Sequence, residues 1–348
     1  MVMMGMTCMG LVIVRMLVPA MFAVAGVMMT MLHDGRGSVT LADYEASRGR
    51  GGMHAGGVGN QARKMTRIVS WNIQWCRGAD GEVRPARTID ALREMGTPEL
   101  ICLQEVAQCF PGLPGGAAED EVALLCEAFP DHLAIWGPAV DVPGEDGGRA
   151  RFGNLLLSRL PVGQVFHRLL PAPAEIALPS MQRACIEAVV TLPWGAVRIM
   201  TTHLEYYSAR QRSAQVAALR GVQAEACEIA RNPAPTKEGN PAFAARPRPA
   251  SALVCGDFNC EPGSDDHAAM VAPDETGARL WQDAWSVFHG SRPHAPSVGL
   301  HGAEWPKRAY CCDFAFLTVD MASRLSGVEI VEATAASDHQ PLLLTLDD

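Results

Sequence analysis

Four predominantly apolar runs each end in a side chain able to hold a cation or handle a proton. Residues 67–72 end in Asn72, 100–105 in Glu105, 197–203 in His203 and 251–257 in Asp257. Near-continuous apolar stretches of this length read as strands covered on both faces, because a half-solvated strand would alternate. Four strands that deliver polar groups at their C-terminal ends are explained by one shared site. Two further runs reverse the order: Asp313 opens 314–317, and Asp338 and His339 precede 341–346. For these groups to reach the same end, their strands must run antiparallel to the first four.

Amphipathic stretches at 84–95, 118–129 and 208–231 read as helices, the last with Arg210, Arg212 and Arg220 on a solvated face. Strands interleaved with helices predict a layered α/β domain. Residues 111–116, 141–151 and 232–250 read as loops, and a fourth loop at 288–307 carries His289, His294, His301 and Trp305 at a candidate border of the site. The three histidines are too irregularly spaced for a helical metal face and are left outside the site.

Residues 1–64 differ in character from the rest. An uncharged Met-rich stretch at 16–32 is barely long enough to span a bilayer, and a Gly-rich polar stretch follows at 33–64. It reads as a membrane anchor, as a signal sequence, or as sequence upstream of a true start at Met65. Residues 65–348 are then the catalytic domain. Eleven cysteines, including Cys102, Cys185, Cys255, Cys311 and Cys312 within apolar runs, resemble neither a disulfide framework nor a zinc site. They read as small core residues in a reducing compartment, which implies a cytoplasmic location, or membrane anchoring if 16–32 is inserted.

A formal charge of -9 argues against nucleic-acid binding by bulk electrostatics, though a local basic groove stays open. No phosphate-loop lysine motif, His-Glu-x-x-His or Gly-x-Ser-x-Gly elbow is present. Carboxylate and amide oxygens suit a hard cation, Mg²⁺ or Mn²⁺, and imidazoles suit the proton and the developing charge of metal-assisted hydrolysis. Taken singly, Gly256-Asp257-Phe258-Asn259 is an ordinary strand-to-turn exit, and Asn72 or Glu105 an ordinary strand end.

The ordered set is more specific. Ser70-Trp71-Asn72, Gln104-Glu105, Gly153-Asn154 with Ser158-Arg159, Thr202-His203-Leu204, Gly256-Asp257-Phe258-Asn259, Cys312-Asp313-Phe314 and Ser337-Asp338-His339 together resemble the endonuclease/exonuclease/phosphatase superfamily across residues 66–347. The resemblance implies a DNase I-like four-layer α/β sandwich, two mixed β-sheets packed face to face with helices outside. It implies that Asn72, Glu105 and Asp338 bind or flank a Mg²⁺ or Mn²⁺ ion, that Asp257 and Asn259 orient water and phosphate, and that Asp313 orients His339. His203 resembles members with a second histidine at the phosphate, unlike the abasic-site endonuclease branch with its tyrosine. The implied activity is phosphoester hydrolysis, with a phosphodiesterase or nuclease first. An inositol-phosphate or phosphoinositide phosphatase, a sphingomyelinase-like diesterase and a non-enzymatic scaffold are the alternatives. Cys311-Cys312-Asp313-Phe314 departs from the Trp-Cys-Asp-Arg usual in the inositol 5-phosphatase branch. The implied partner is a phosphoester substrate, nucleic acid among the candidates, with no obligate protein partner.

Overall fold

The computed structural model describes residues 65–348 apart from Ala117, so the expected N-terminal appendage lies outside the described residues. The described chain builds two six-stranded mixed sheets. The first contains β1 (Met65–Asn72), β2 (Leu100–Gln108), β3 (Leu133–Pro143), β4 (Arg149–Ser158), β11 (Leu325–Ile330) and β12 (Leu342–Asp347), in the order β11-β12-β1-β2-β4-β3. The second contains β5 (Val162–Leu169), β6 (Ala184–Leu192), β7 (Gly195–His203), β8 (Ala252–Asp257), β9 (Gln282–Asp283) and β10 (Asp313–Leu317), in the order β5-β6-β7-β8-β10-β9.

Alternate side chains of the central strands explain the layering. Ile68, Cys102, Leu156, Ile199, Leu253, Ala315 and Leu344 meet between the sheets in one buried cluster. Val69, Trp71, Ile101 and Leu155 point the other way, onto Leu92 of α1 (Pro85–Glu94) and Leu125 of α2 (Glu121–Ala128). Met200, Val254 and Phe316 pack on Val216 and Leu219 of α3 (Ala209–Arg231) and on Met270 of α4 (Asp265–Val271). Both sheets are thus apolar on both faces, and each buried Leu or Ile contributes about 1.5–3 kcal/mol. The result is the expected four-layer DNase I-like sandwich.

Each sheet has a parallel pair at its centre, β1–β2 and β7–β8, flanked by an antiparallel strand: β12 on β1, β10 on β8. The expected reversal of the last two elements follows, and both polar-ended strand sets converge on one end of the sandwich. Gln104 ties the sheets together below that end, its Nε2 donating to Thr201 Oγ1 at 2.9 Å. Gly256 at φ 145° lets β8 press against β7, since a Cβ there would lie 1.8 Å from Thr202 O.

Several expectations need correction. Residues 141–151 are not one loop: β3 runs to Pro143, β4 starts at Arg149, and only the intervening turn is irregular. Asp141 accepts from Arg149 Nε at 2.7 Å on this solvated hairpin, so polar residues extend the ladder rather than end it. The second helix starts at Glu121 instead of 118, where Asp120 caps it by accepting from Ala123 N at 2.9 Å. The 288–307 stretch begins inside a helix, α5 (Ala284–His289). A short helix, α6 (Val319–Ala322), links β10 to β11. Arg212 and Arg220 are not a free solvated face. Arg212 Nε donates to Asp266 Oδ2 at 2.7 Å, and Arg220 Nη1 donates to the carbonyls of Ala269, Met270 and Ala272, tying α3 to α4. All ten described cysteines are free, and most are buried.

Candidate active site

Every sequence-derived candidate that lines the expected end of the sandwich is held there by a named contact. Asn72 closes β1, where its carbonyl accepts from Ser337 Oγ at 2.8 Å. Its Nδ2 donates to Glu105 Oε1 and to Asp257 Oδ2, each at 3.1 Å, while its Oδ1 accepts from Gln74 N at 3.0 Å. One amide from the first sheet therefore sets the spacing of two carboxylates, one from each sheet.

Glu105 is not at a strand terminus as its run suggests. It sits at a register shift between Leu103 and Val106, with φ 56°. A bulge of this kind turns a side chain out of the ladder, and left-handed backbone at a non-glycine residue is a mark of a functional site. Asn259 repeats the device at φ 49°: its N donates to Asp257 Oδ1 at 2.8 Å, and its Nδ2 donates to Leu204 O at 2.9 Å and to His203 Nε2 at 3.0 Å.

The two histidines are driven apart electrically. Burial, then the charges of Arg183 and His339, hold His203 well below the usual histidine pKa, consistent with an Nε2 that accepts from Asn259. Burial also opposes charge on His339, but Asp313 and Asp257 outweigh it and hold its pKa well above the usual value. His339 Nδ1 donates to Asp313 Oδ2 at 2.8 Å, where Ser297 Oγ also donates at 2.6 Å. That leaves His339 Nε2 facing Asp257 Oδ2 at 3.7 Å, with His203 Nε2 at 3.4 Å from the same oxygen.

Carboxylates crowd this space. Burial, with Asp313 nearby, pushes Asp257 up to about 6 against the relief given by His339. Burial, with Glu105 nearby, likewise pushes Asp338 up to about 6, and burial raises Glu105. Glu105, His203 and Asp257 present ligand atoms within 4.8 Å of one another. An oxygen-rich set whose charged forms are disfavoured by burial and by one another fits a hard divalent cation.

Glu105, His203, Asp257, Asn259, Asp338 and His339 line a cleft of about 530 Å³, with Asn72 and Asp313 bonded to them from behind. Sequence reasoning missed several of its walls. Gln74 lies just past β1, and its Nε2 donates to Asp338 Oδ2 at 2.8 Å. Trp75 and Phe152 form one aromatic side, with ring centroids 6.2 Å apart. Tyr206 and Trp305 form another at 5.2 Å, so the 288–307 stretch does border the cleft through Trp305. Arg183 is the one Lys or Arg among the described lining residues. His289, His294 and His301 do not line it.

Two mixed sheets with polar groups gathered at one edge define the DNase I-like class. The sequence profile of the Endonuclease/Exonuclease/phosphatase family matches residues 69–339, and the chain belongs to that family. Among solved structures it resembles an endonuclease/exonuclease/phosphatase from Beutenbergia cavernae, with TM-score 0.59, 21% identity, and 82% and 72% of the two chains covered. It also resembles the human Nocturnin catalytic domain with bound sulfate anion (TM-score 0.52, 18% identity, 82% and 96% covered). A third likeness is to D. rerio TDP2 complexed with single strand DNA product (TM-score 0.52, 19% identity, 82% and 100% covered). No curated protein matches the sequence. Among the described residues no helix is long and apolar enough to cross a membrane.

Proposed function

We propose that the protein is a divalent-metal-dependent phosphoester hydrolase acting on a phosphodiester, with a nucleic acid or nucleotide as substrate. The observation that carries this reading is the meeting of Glu105, His203, Asp257, Asp338 and His339 around one cleft, with Asn72 bonded to Glu105 and Asp257 behind it. Glu105 and Asp338 would hold the Mg²⁺ or Mn²⁺ ion, with Asn72 setting the position of Glu105 against Asp257. When bound, such an ion offsets charge on a phosphoryl oxygen and acidifies water.

The chain's own groups divide the remaining work. Asp257, poised at about 6, takes the proton from the attacking water through Oδ2, while Oδ1 is fixed by Asn259 N. His339, kept cationic by Asp313, presents Nε2–H to the charge that develops on the phosphoryl group. His203 stays neutral, a donor beside Glu105, with Nδ1 at 3.8 Å from Glu105 Oε1.

The cleft's aromatic walls favour nucleobases over inositol polyphosphates, because flat rings stack bases whereas several phosphates would call for several Lys and Arg. Single-strand DNA product in a structurally similar protein is in keeping with this preference.

Screening the purified protein against single- and double-stranded DNA, RNA, inositol phosphates and sphingomyelin, with and without EDTA, tests the reading. EDTA-sensitive cleavage of oligonucleotides is expected. Turnover of sphingomyelin alone would replace the substrate assignment, and metal-independent turnover would overturn the mechanism.

A further inference from the structure

We infer that Arg183, which stands in no motif, binds the non-bridging oxygens of the substrate's phosphoryl group and holds it beside His203, a role that rests on the phosphoester reading above. Arg183 lies two residues before Cys185 of β6, which pairs with Thr202, the residue preceding His203 on β7. Its side chain is 6% exposed and borders the cleft.

The guanidinium is anchored at one corner only. Nε donates to Glu205 Oε2 at 3.2 Å, and Glu205 is itself fixed, its Oε1 accepting from Tyr207 N at 2.9 Å and its backbone N donating to Gln215 Oε1 at 2.8 Å. Nη1 is buried and has no hydrogen-bond partner among the described residues. A buried, charged donor without an acceptor is costly to maintain, and the acceptor that fits a planar fork is a pair of phosphate oxygens.

The ordinary alternative is that Arg183 only pins the fold. Arg212 and Arg220, which pin the fold, look different, and Arg87, whose buried Nε also lacks a partner, has Nη1 and Nη2 filled by Asp80 and Glu82 O away from the cleft. Arg212 donates to Asp266 Oδ2 and the carbonyls of Glu205 and Tyr206, and Arg220 donates to carbonyls of the end of α4 and the residues just after it. Neither lines the cleft, and neither leaves a buried nitrogen without an acceptor. Arg183 also acts electrically on the site, since its charge helps keep His203 neutral and eases ionisation of Glu105.

The test uses the full chain in Mg²⁺ with Arg183→Gln and Arg183→Lys. Binding of inorganic phosphate is measured by equilibrium dialysis, and KM, kcat and phosphate Ki are measured on bis(p-nitrophenyl) phosphate. Arg183→Gln is expected to weaken phosphate binding and raise KM by roughly 10- to 100-fold, with a smaller effect on kcat. Arg183→Lys is expected to recover part of the loss, because the charge returns without the fork. Phosphate affinity and KM unchanged in folded Arg183→Gln overturn the role. If Arg183→Gln does not fold, unchanged phosphate affinity in Arg183→Lys overturns it equally. Dialysis needs no turnover, which separates the two readings: phosphate binding that depends on Arg183 in a protein inert to every phosphoester sustains this role and defeats the hydrolase. EDTA-sensitive turnover with phosphate affinity indifferent to Arg183 does the reverse.

Discussion

Two clusters of histidine and aspartate lie close to β10, and only one of them belongs to the candidate active site. At the open end, His339 pairs with Asp313 and faces Asp257 across the cleft. On the outer face, His294 Nε2 donates to Asp283 Oδ2 at 2.8 Å, with His267 Nε2 at 3.6 Å from the same oxygen. The residue types are alike, and the accounting of lone pairs is not. Asp283 is fully engaged: Oδ1 accepts from Trp285 N at 3.1 Å, capping α5, and Oδ2 also accepts from Ser286 Oγ at 2.6 Å. Burial opposes its charge, but the hydrogen bonds from His294 and Ser286, with His267 facing the same oxygen, hold its pKa far below the usual carboxylate range. Asp257 and Asp338 are instead raised to about 6. A satisfied carboxylate fastens helices, whereas crowded ones raised to about 6 ionise near neutral pH with little charge to offset them, which suits a cation.

The sharpest way to break this contrast is to substitute both sides. Asp257→Asn or His339→Ala is expected to lower kcat by roughly 10²- to 10⁴-fold with little change in melting temperature. Near-normal turnover by Asp257→Asn at saturating Mg²⁺ would remove it as the base.

Asn72→Ala comes next. Losing the amide that spaces Glu105 and Asp257 should weaken Mn²⁺ binding about 10- to 100-fold by calorimetry.

Acidity separates the clusters more gently. Asp257 and Asp338 bind protons more tightly folded than unfolded, so without metal they contribute stability below their ordinary 3.8 that is lost as pH rises through about 6. Metal binding needs them deprotonated, so Mn²⁺ affinity should fall about tenfold or more per pH unit well below 6 and level off above it. A flat affinity between pH 5 and 8 would contradict the crowding described for this cleft.

The smallest effect on rate is expected at the sealed cluster. His294→Ala should leave kcat within about twofold while lowering stability by about 1–3 kcal/mol in chemical denaturation, since Asp283 keeps its other donors. A large loss of activity at constant stability would place that cluster in the reaction.

The same contrast explains what could be read from sequence. Central strands were legible because burial on both faces leaves long apolar runs, and their polar ends stood out against that background. The edge strands β5 and β11 are half-exposed and mix polar with apolar residues, so nothing marked them. Glu105 was legible as a residue but not as a bulge, since a register shift leaves no composition. Gln74 lies beyond the strand end and was invisible. Arg183 carried a usable signal: like Asp313, it is a charged residue just ahead of an apolar run, and β6 is antiparallel to β7. His339 was separable from His294 by the Ser337-Asp338-His339 motif ahead of an apolar run, but which carboxylate is already satisfied is decided only by the folded neighbours.

The central claim is tested most directly by titrating the full-length protein and Glu105→Gln with Mn²⁺, following heat of binding and phosphodiester turnover on the same samples. Wild type should bind Mn²⁺, lose turnover in EDTA and regain it on readdition, while Glu105→Gln loses both binding and turnover. Turnover that persists in EDTA, or Glu105→Gln that binds Mn²⁺ and turns over like wild type, would contradict a cation site at this end of the sandwich.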